Sequence, residues 1–300
     1  MALTRITKLF ILGLVLQLAF ASASWAEGYS RPELLITPKS LAGKLKKPDV
    51  RILDARKKGD YNKGHIPGAV SLFYNRLVDF TARKKKGYPV FPNVAEDILG
   101  AAGIGADTQV IVYDGGEGPP ASGLWFVLDF FGHKNVSVLD GGFKRWAKEG
   151  WPVSKDKVRV AKAKFIAKPQ PKKVVTLGWV KKNMRRKDIM LVDARSLKEY
   201  IGEAVLSGAS RGGHIPGAVR LNWKRLAGAA NSYKSADELK QEFAKKGITK
   251  DSKVVTYCHQ GVGRATDLMF AMRLIGYDNV LIYTGSWQDW SRDPRLPVEK

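Results

Sequence analysis

Residues 64–70 read Gly-His-Ile-Pro-Gly-Ala-Val, and residues 213–219 read the same seven. A shared heptapeptide of this composition makes an internal repeat the first question, because a repeat determines the architecture. The match extends in both directions. Upstream, Ile52-Leu53-Asp54-Ala55-Arg56 answers Leu191-Val192-Asp193-Ala194-Arg195. Downstream, Val112-Tyr113-Asp114 answers Thr256-Tyr257-Cys258 at an offset of 144. That offset also carries Gly132-His133-Lys134-Asn135-Val136 onto Gly276-Tyr277-Asp278-Asn279-Val280, and Gly141 and Trp146 onto Gly285 and Trp290. The offset is 139 at Asp-Ala-Arg and 149 at His-Ile-Pro-Gly, so the second copy carries ten extra residues around Gly202 to Gly212. Two halves of about 125 residues each match ordinary domain size.

Each half reads as α/β. Val110 to Tyr113 and Val254 to Tyr257 are short apolar, β-branched runs, the pattern of parallel strands buried on both faces. Behind Cys258, Leu268, Ala271, Met272 and Ile275 recur at helical spacing, and Gly276 ends that helix. Lys155 to Lys173, rich in Lys, Ala and Pro, reads as an extended linker. The organisation is then a first domain over 27–154, the linker over 155–173 and a second domain over 174–300.

The first 26 residues read as a secretory signal. Arg5 and Lys8 precede an apolar run, Leu9 to Phe20, that is too short to span a bilayer, and Ala21, Ala23, Ser24 and Ala26 supply small residues for cleavage before Glu27. The expected location is periplasmic or secreted. The chain of 300 residues has 51 Lys+Arg against 28 Asp+Glu, a net charge of +23, which falls to about +21 once Arg5 and Lys8 leave. A 44% hydrophobic content supplies full cores and excludes disorder. The one cysteine, Cys258, excludes an internal disulfide, a thiolate zinc cage and a Cys-x-x-Cys redox pair.

Cys258-His259-Gln260-Gly261-Val262-Gly263-Arg264 lies between the strand ending at Tyr257 and the helix beginning near Arg264. Ligands of open parallel sheets bind at the carboxyl ends of strands. The two glycines let successive N–H groups turn toward the loop's centre, and the helix start adds positive partial charge. Such a cradle favours an anion, and it favours the thiolate of Cys258 over the thiol, making it a nucleophile. Arg264, and His259 when protonated, are expected to strengthen both effects.

With Asp-Ala-Arg and Gly-His-Ile-Pro-Gly-Ala early in each half and Cys-x-x-Gly after a late strand, the chain resembles the tandem-domain rhodanese-type sulfurtransferases, the thiosulfate and 3-mercaptopyruvate sulfurtransferase family. The resemblance covers essentially the whole chain after residue 26. It implies two rhodanese-like domains, each a small parallel sheet flanked by helices. It implies a catalytic Cys258 and a silent first domain, since Asp114 stands at the repeat position of Cys258. An Asp there cannot accept sulfane sulfur and is expected to oppose anion binding in Gly115 to Gly118. The implied mechanism is a double displacement through a Cys258 persulfide, from a small anionic sulfur donor to cyanide, sulfite or a thiol, with no metal or organic cofactor.

Three features depart from the family pattern. His259 and Gln260 match neither the paired basic residues of thiosulfate-specific relatives nor the small ones of mercaptopyruvate-specific relatives, so the donor stays open. Cys-x5-Arg is also the signature of cysteine phosphatases and arsenate reductases of this fold, which keeps an oxyanion enzyme as an alternative, beside a non-catalytic persulfide carrier. No Asp is placed as an obvious general acid for a phosphatase. Where eukaryotic relatives place a substrate-binding Arg, this chain has Glu199.

Val262 and Gly263 complete the expected substrate-binding loop, and Arg211, inside the ten-residue insertion, either reaches the cleft or is solvated. Asp193, Arg195 and His214 read as supporting residues, as do Asp54 and His65. The basic runs Lys44 to Lys47, Arg83 to Lys86, Lys181-Lys182 and Arg185 to Lys187 read as solvated faces. Without a recognition motif or interleaved aromatics they do not indicate nucleic acid. Weak contact with an anionic membrane surface, or steering of anionic donors, remains their functional reading.

Overall fold

The computed structural model describes residues 28–79 and 88–300. The signal segment and the Arg83 to Lys86 run lie outside the described residues. The first half holds a five-stranded sheet ordered β1 (Leu35–Ile36), β7 (Val136–Leu139), β6 (Gln109–Tyr113), β2 (Val50–Asp54) and β3 (Val70–Ser71), every pairing parallel. A short antiparallel pair, β4 (Val78–Asp79) and β5 (Tyr88–Pro89), lies beside it. The second half repeats the order as β8 (Val174–Val175), β12 (Val280–Tyr283), β11 (Lys253–Tyr257), β9 (Ile189–Asp193) and β10 (Val219–Arg220), again parallel throughout.

Helices α1 (Pro38–Ala42), α2 (Lys58–Lys63), α3 (Pro92–Ala101), α4 (Pro119–Phe130) and α5 (Gly142–Lys148) belong to the first half. The second contributes α6 (Leu177–Asn183), α7 (Leu197–Tyr200), α8 (Ala236–Ala244), α9 (Arg264–Leu274) and α10 (Ser286–Trp290). Among the described residues no helix is long and apolar enough to cross a membrane.

Helix α9 buries Leu268, Ala271 and Met272, as its spacing predicts, and also Ala265, Met269, Phe270 and Leu274 around the rest of its surface. A helix buried on nearly all sides must be central. Its partner is α4, the helix that follows the equivalent loop of the first half: Trp125 meets Phe270 edge-on at 5.0 Å between ring centroids, and Ser122 Oγ lies 3.3 Å from Thr266 Oγ1. One apolar cluster, including Phe126, Phe130, Leu268 and Met272, therefore runs through both halves. The linker is extended, and it is pinned to the first half: Ala163 N–H donates to Gly100 O, Lys168 N–H to Phe131 O, and Phe165 is 6% exposed.

Candidate active site

Strand β11 runs between β9 and β12 and delivers Cys258 at its carboxyl end, where the residue is 2% exposed. The loop after it is fixed from behind. Cys258 N–H donates to Ser286 Oγ (3.0 Å), Trp287 N–H to Cys258 O (3.0 Å) and Gln288 N–H to His259 O (3.0 Å). Gly261 holds φ +92° so close to β12 that a Cβ would fall 2.1 Å from Thr284 O, so only glycine fits. Gly263, at φ +108°, starts α9, its N–H donating to Thr266 Oγ1 (3.0 Å). The amides of Gln260, Gly261 and Val262 donate to no protein acceptor among the described residues, which leaves them available to an anion.

The cleft in front of the loop has a volume of about 280 Å³. Cys258, His259, Gln260, Val262, Gly263 and Arg264 form one side; Tyr74, Pro119 and Pro120 of the first half and Leu206 of the insertion form the other. The first half thus helps to wall the cleft. Burial, reinforced by the charge at Cys258, pushes the Tyr74 hydroxyl up to about 12, so it stays a neutral phenol at ordinary pH.

Several of the residues that line the cleft are also tied to the protein behind it. His259 is buried, its Nε2 2.9 Å from Ser207 O and 3.1 Å from Gln288 Nε2. Burial lowers its pKa, with the charge of Arg264 contributing, which disfavours the protonated form in which it would strengthen the anion cradle, and the ring braces the insertion. Gln260 is exposed. Arg264 does line the cleft, but its guanidinium is held bidentately by Glu199, Nη1 to Oε2 at 2.8 Å and Nη2 to Oε1 at 3.0 Å. Burial alone would raise the Glu199 carboxyl; the hydrogen bonds and charge of Arg264 outweigh it and hold the pKa below the ordinary value.

Arg211 does not reach the cleft. Its guanidinium donates to the carbonyls of Ser291, Asp293 and Leu296, tying the insertion to the C-terminal segment, because three backbone acceptors there need donors. Asp193, Arg195 and His214 support the fold, as expected. Arg195, 1% exposed, pairs with Asp193 and donates to Gly213 O (2.8 Å), while its guanidinium lies 4.6 Å over Trp287. His214 stacks on Tyr200 at 3.6 Å between ring centroids, with Nδ1 2.9 Å from Tyr200 O. Arg56, Asp54, His65 and Tyr61 repeat the arrangement in the first half.

Three positions went unread in the sequence. Tyr74 carried no signal, since only the packing of the halves brings it near Cys258. Glu199 was noted as a departure without a partner. Ser286 was legible: the repeat offset places it on Gly142, and both hold positive φ, +53° and +56°.

A model of the rhodanese-like domain family matches residues 37–149 and 176–293. A thiosulfate sulfurtransferase of Gallus gallus is 34% identical over 242 residues, covering 79% of this chain and 81% of that one. A protein of Thermus thermophilus named sulfur carrier protein TtuD is 31% identical over 290 residues, covering 91% and 99%. The crystal structure of SseA from Escherichia coli, described as a 3-mercaptopyruvate sulfotransferase of rhodanese fold, is similar with a TM-score of 0.75 at 28% identity, covering 85% of this chain and 98% of that one.

Proposed function

From the premise that this chain belongs to the rhodanese-like family and is a rhodanese-type sulfurtransferase, we propose that it moves sulfane sulfur through a persulfide on Cys258. The observation that carries this reading is the lone cysteine at the end of β11, beneath a loop whose amides are unspent and at the bottom of a cleft. The Cys258 thiolate attacks the outer sulfur of the donor. A sulfur–sulfur bond forms to Sγ as the donor's own bond to that sulfur breaks, and the leaving group takes the electron pair: sulfite from thiosulfate, or, from mercaptopyruvate, a carbanion that the thiol proton converts to pyruvate. A thiolate, cyanide or sulfite then removes the outer sulfur and restores Cys258. No protein base is required for the first step, and the Nε2 of His259 is engaged with Ser207 O.

Intact mass after incubation with thiosulfate or 3-mercaptopyruvate tests this: one added sulfur on the native chain and none on Cys258→Ser is expected, and no adduct with either donor refutes it. The likeness to a protein named a sulfur carrier favours a second reading, in which Cys258 holds sulfur for a partner with little turnover to small acceptors. Loading without release to cyanide or a thiol distinguishes it. A phosphatase reading has less support, because among the described residues no aspartate lines the cleft as a proton donor. We further propose export of the chain on the strength of residues 1–26, and steering of anionic donors by its net positive charge. The donor's kcat/KM is expected to fall as ionic strength rises, and a flat profile removes the steering.

A further inference from the structure

The arginine of the catalytic loop is not a free cation. Both terminal nitrogens of Arg264 are held by Glu199, which reaches them from α7 while also accepting from Ser196 N–H (3.2 Å) and Ser196 Oγ (2.9 Å) in the helix's capping box. Glu199 is 5% exposed, so water screens the pair little. Arg264 lines the cleft beside Cys258, and Glu199 does not. An anion entering the cleft therefore meets an ion pair of zero net charge and the partial charges of the loop amides. Coulomb energy scales with the product of charges, so the carboxylate of Glu199 opposes a dianion twice as strongly as a monoanion. The loop amides carry only partial charges, so the preference they give a dianion is weaker than the one an unpaired Arg264 would impose.

We propose that Glu199 sets the charge of the sulfur donor, cancelling Arg264 so that the cleft selects monoanionic organic donors over dianionic tetrahedral ones such as thiosulfate, phosphate or arsenate. This rests on the sulfurtransferase reading of Cys258 and names its substrate class. The pair acts on binding more than on the chemical step, so its effect belongs in KM.

Glu199→Gln is the decisive variant, because Gln keeps the volume and also serves in a capping box. The ratio of kcat/KM for thiosulfate to that for 3-mercaptopyruvate is expected to rise at least about tenfold, chiefly through a lower KM for thiosulfate. A fold defect lowers both values and leaves the ratio alone; an unchanged or falling ratio overturns the proposal. A binding arm is independent of sulfur transfer. By calorimetry, Cys258→Ser/Glu199→Gln should bind sulfate about tenfold more tightly than Cys258→Ser, with nitrate changing less than about threefold. Equal changes for the two anions overturn it. If the Gln variant does not fold, the native chain still decides: at equal ionic strength sulfate should protect Cys258 from iodoacetamide no better than nitrate, and clearly better protection by sulfate sinks the proposal. Failure of the sulfurtransferase reading shows separately, as native protein that takes sulfur from neither donor.

Discussion

Asp114 and Cys258 stand at the same place in two copies of one fold, and their loops have taken opposite courses. In the first half the carboxylate folds back into its own loop, Oδ1 accepting from Gly116 N–H at 2.7 Å and Oδ2 from Gly118 N–H at 2.8 Å and Ala121 N–H at 3.2 Å. In the second half the amides of Gln260 to Val262 have no protein acceptor among the described residues. The expectation that Asp114 opposes an incoming anion is thereby refined: the chain supplies the anion itself. The backbone differs too. Left-handed glycines sit at 116 and 118, which the repeat offset carries to 260 and 262, whereas the second loop bends at 261 and 263. Helix α4 accordingly starts one repeat position earlier than α9, and the first loop is one residue tighter. The cleft beside it, about 820 Å³ and lined by Arg56, Phe143 and Lys144 among others, is larger than the one before Cys258, and no thiol lines it. Loss of the cysteine in one copy thus goes with a closed loop, not with a missing cavity.

The most severe way to break this comparison is to exchange the two residues. Cys258→Asp should lose all sulfur loading, a fall of at least about a thousandfold in transfer rate, because no other thiol exists in the chain. The reciprocal change, Asp114→Cys in a Cys258→Ser background, should not restore transfer, since the tighter loop and Gly142 in place of Ser286 remain. Transfer recovered at more than about a hundredth of the native rate would reduce the difference between the halves to one side chain.

A smaller break concerns the glycines that shape the loops. Gly261→Ala puts a Cβ 2.1 Å from Thr284 O at φ +92°, and Gly116→Ala puts one 2.8 Å from Gly141 O at φ +107°. Each should cost on the order of 2–4 kcal/mol in a denaturant titration. Only Gly261→Ala should also reduce transfer by the fraction that remains folded, by at least about tenfold, because only that loop follows the proposed nucleophile. Equal activity of the two folded variants would mean that the catalytic loop tolerates another path.

The halves also meet through a buried acid. Asp267 of α9 lies against the silent loop, where a Cβ on Gly118 would touch its carboxylate at 2.8 Å, and Tyr233 donates to it at 2.6 Å. Burial, with the charge of Asp114 adding to it, pushes Asp267 up to about 8. A carboxyl whose pKa is higher folded than unfolded binds its proton more tightly in the native state. Its stabilisation is complete below the unfolded value of about 4 and declines as pH rises through about 8. Melting temperature should therefore fall between about pH 5 and 8 in the native chain, and Asp267→Asn should flatten that slope by a few degrees. Parallel melting curves for the two proteins would remove Asp267 from the account.

How far the sequence could be read follows the same division. The two parallel sheets were legible because each rests on contiguous residues, repeated at a fixed offset, and the same offset sets Asp114 against Cys258. The structural roles of Arg195 and His214 were legible for the same reason, since the copy without a nucleophile keeps Arg56 and His65. What escaped depends on contacts across the fold. Arg211 sits where a cleft residue could, but its donors go to the C-terminal segment, 80 or more residues away. Whether His259 carries charge depends on burial, which residue type does not show and which lowers its pKa here. Glu199 was visible as a departure, but its partner lies 65 residues on and nothing local announces it.

The finest test of the comparison is Ser286. At φ +53° it occupies the left-handed region that its counterpart Gly142 enters at φ +56° with no Cβ to strain. Ser at such a position costs about 1 kcal/mol of backbone strain relative to Gly, which its contacts must offset. Its hydroxyl supplies them, accepting from Cys258 N–H at 3.0 Å and donating to Tyr283 O at 3.0 Å. Ser286→Gly relieves the strain and removes both bonds, so the two changes nearly cancel and stability should move by less than about 1 kcal/mol. Transfer should respond differently, because the amide of the nucleophile loses the acceptor that fixes it. A two- to tenfold fall in kcat/KM at unchanged melting temperature is expected. If kcat/KM is unaffected, the serine does no more for Cys258 than Gly142 does for Asp114.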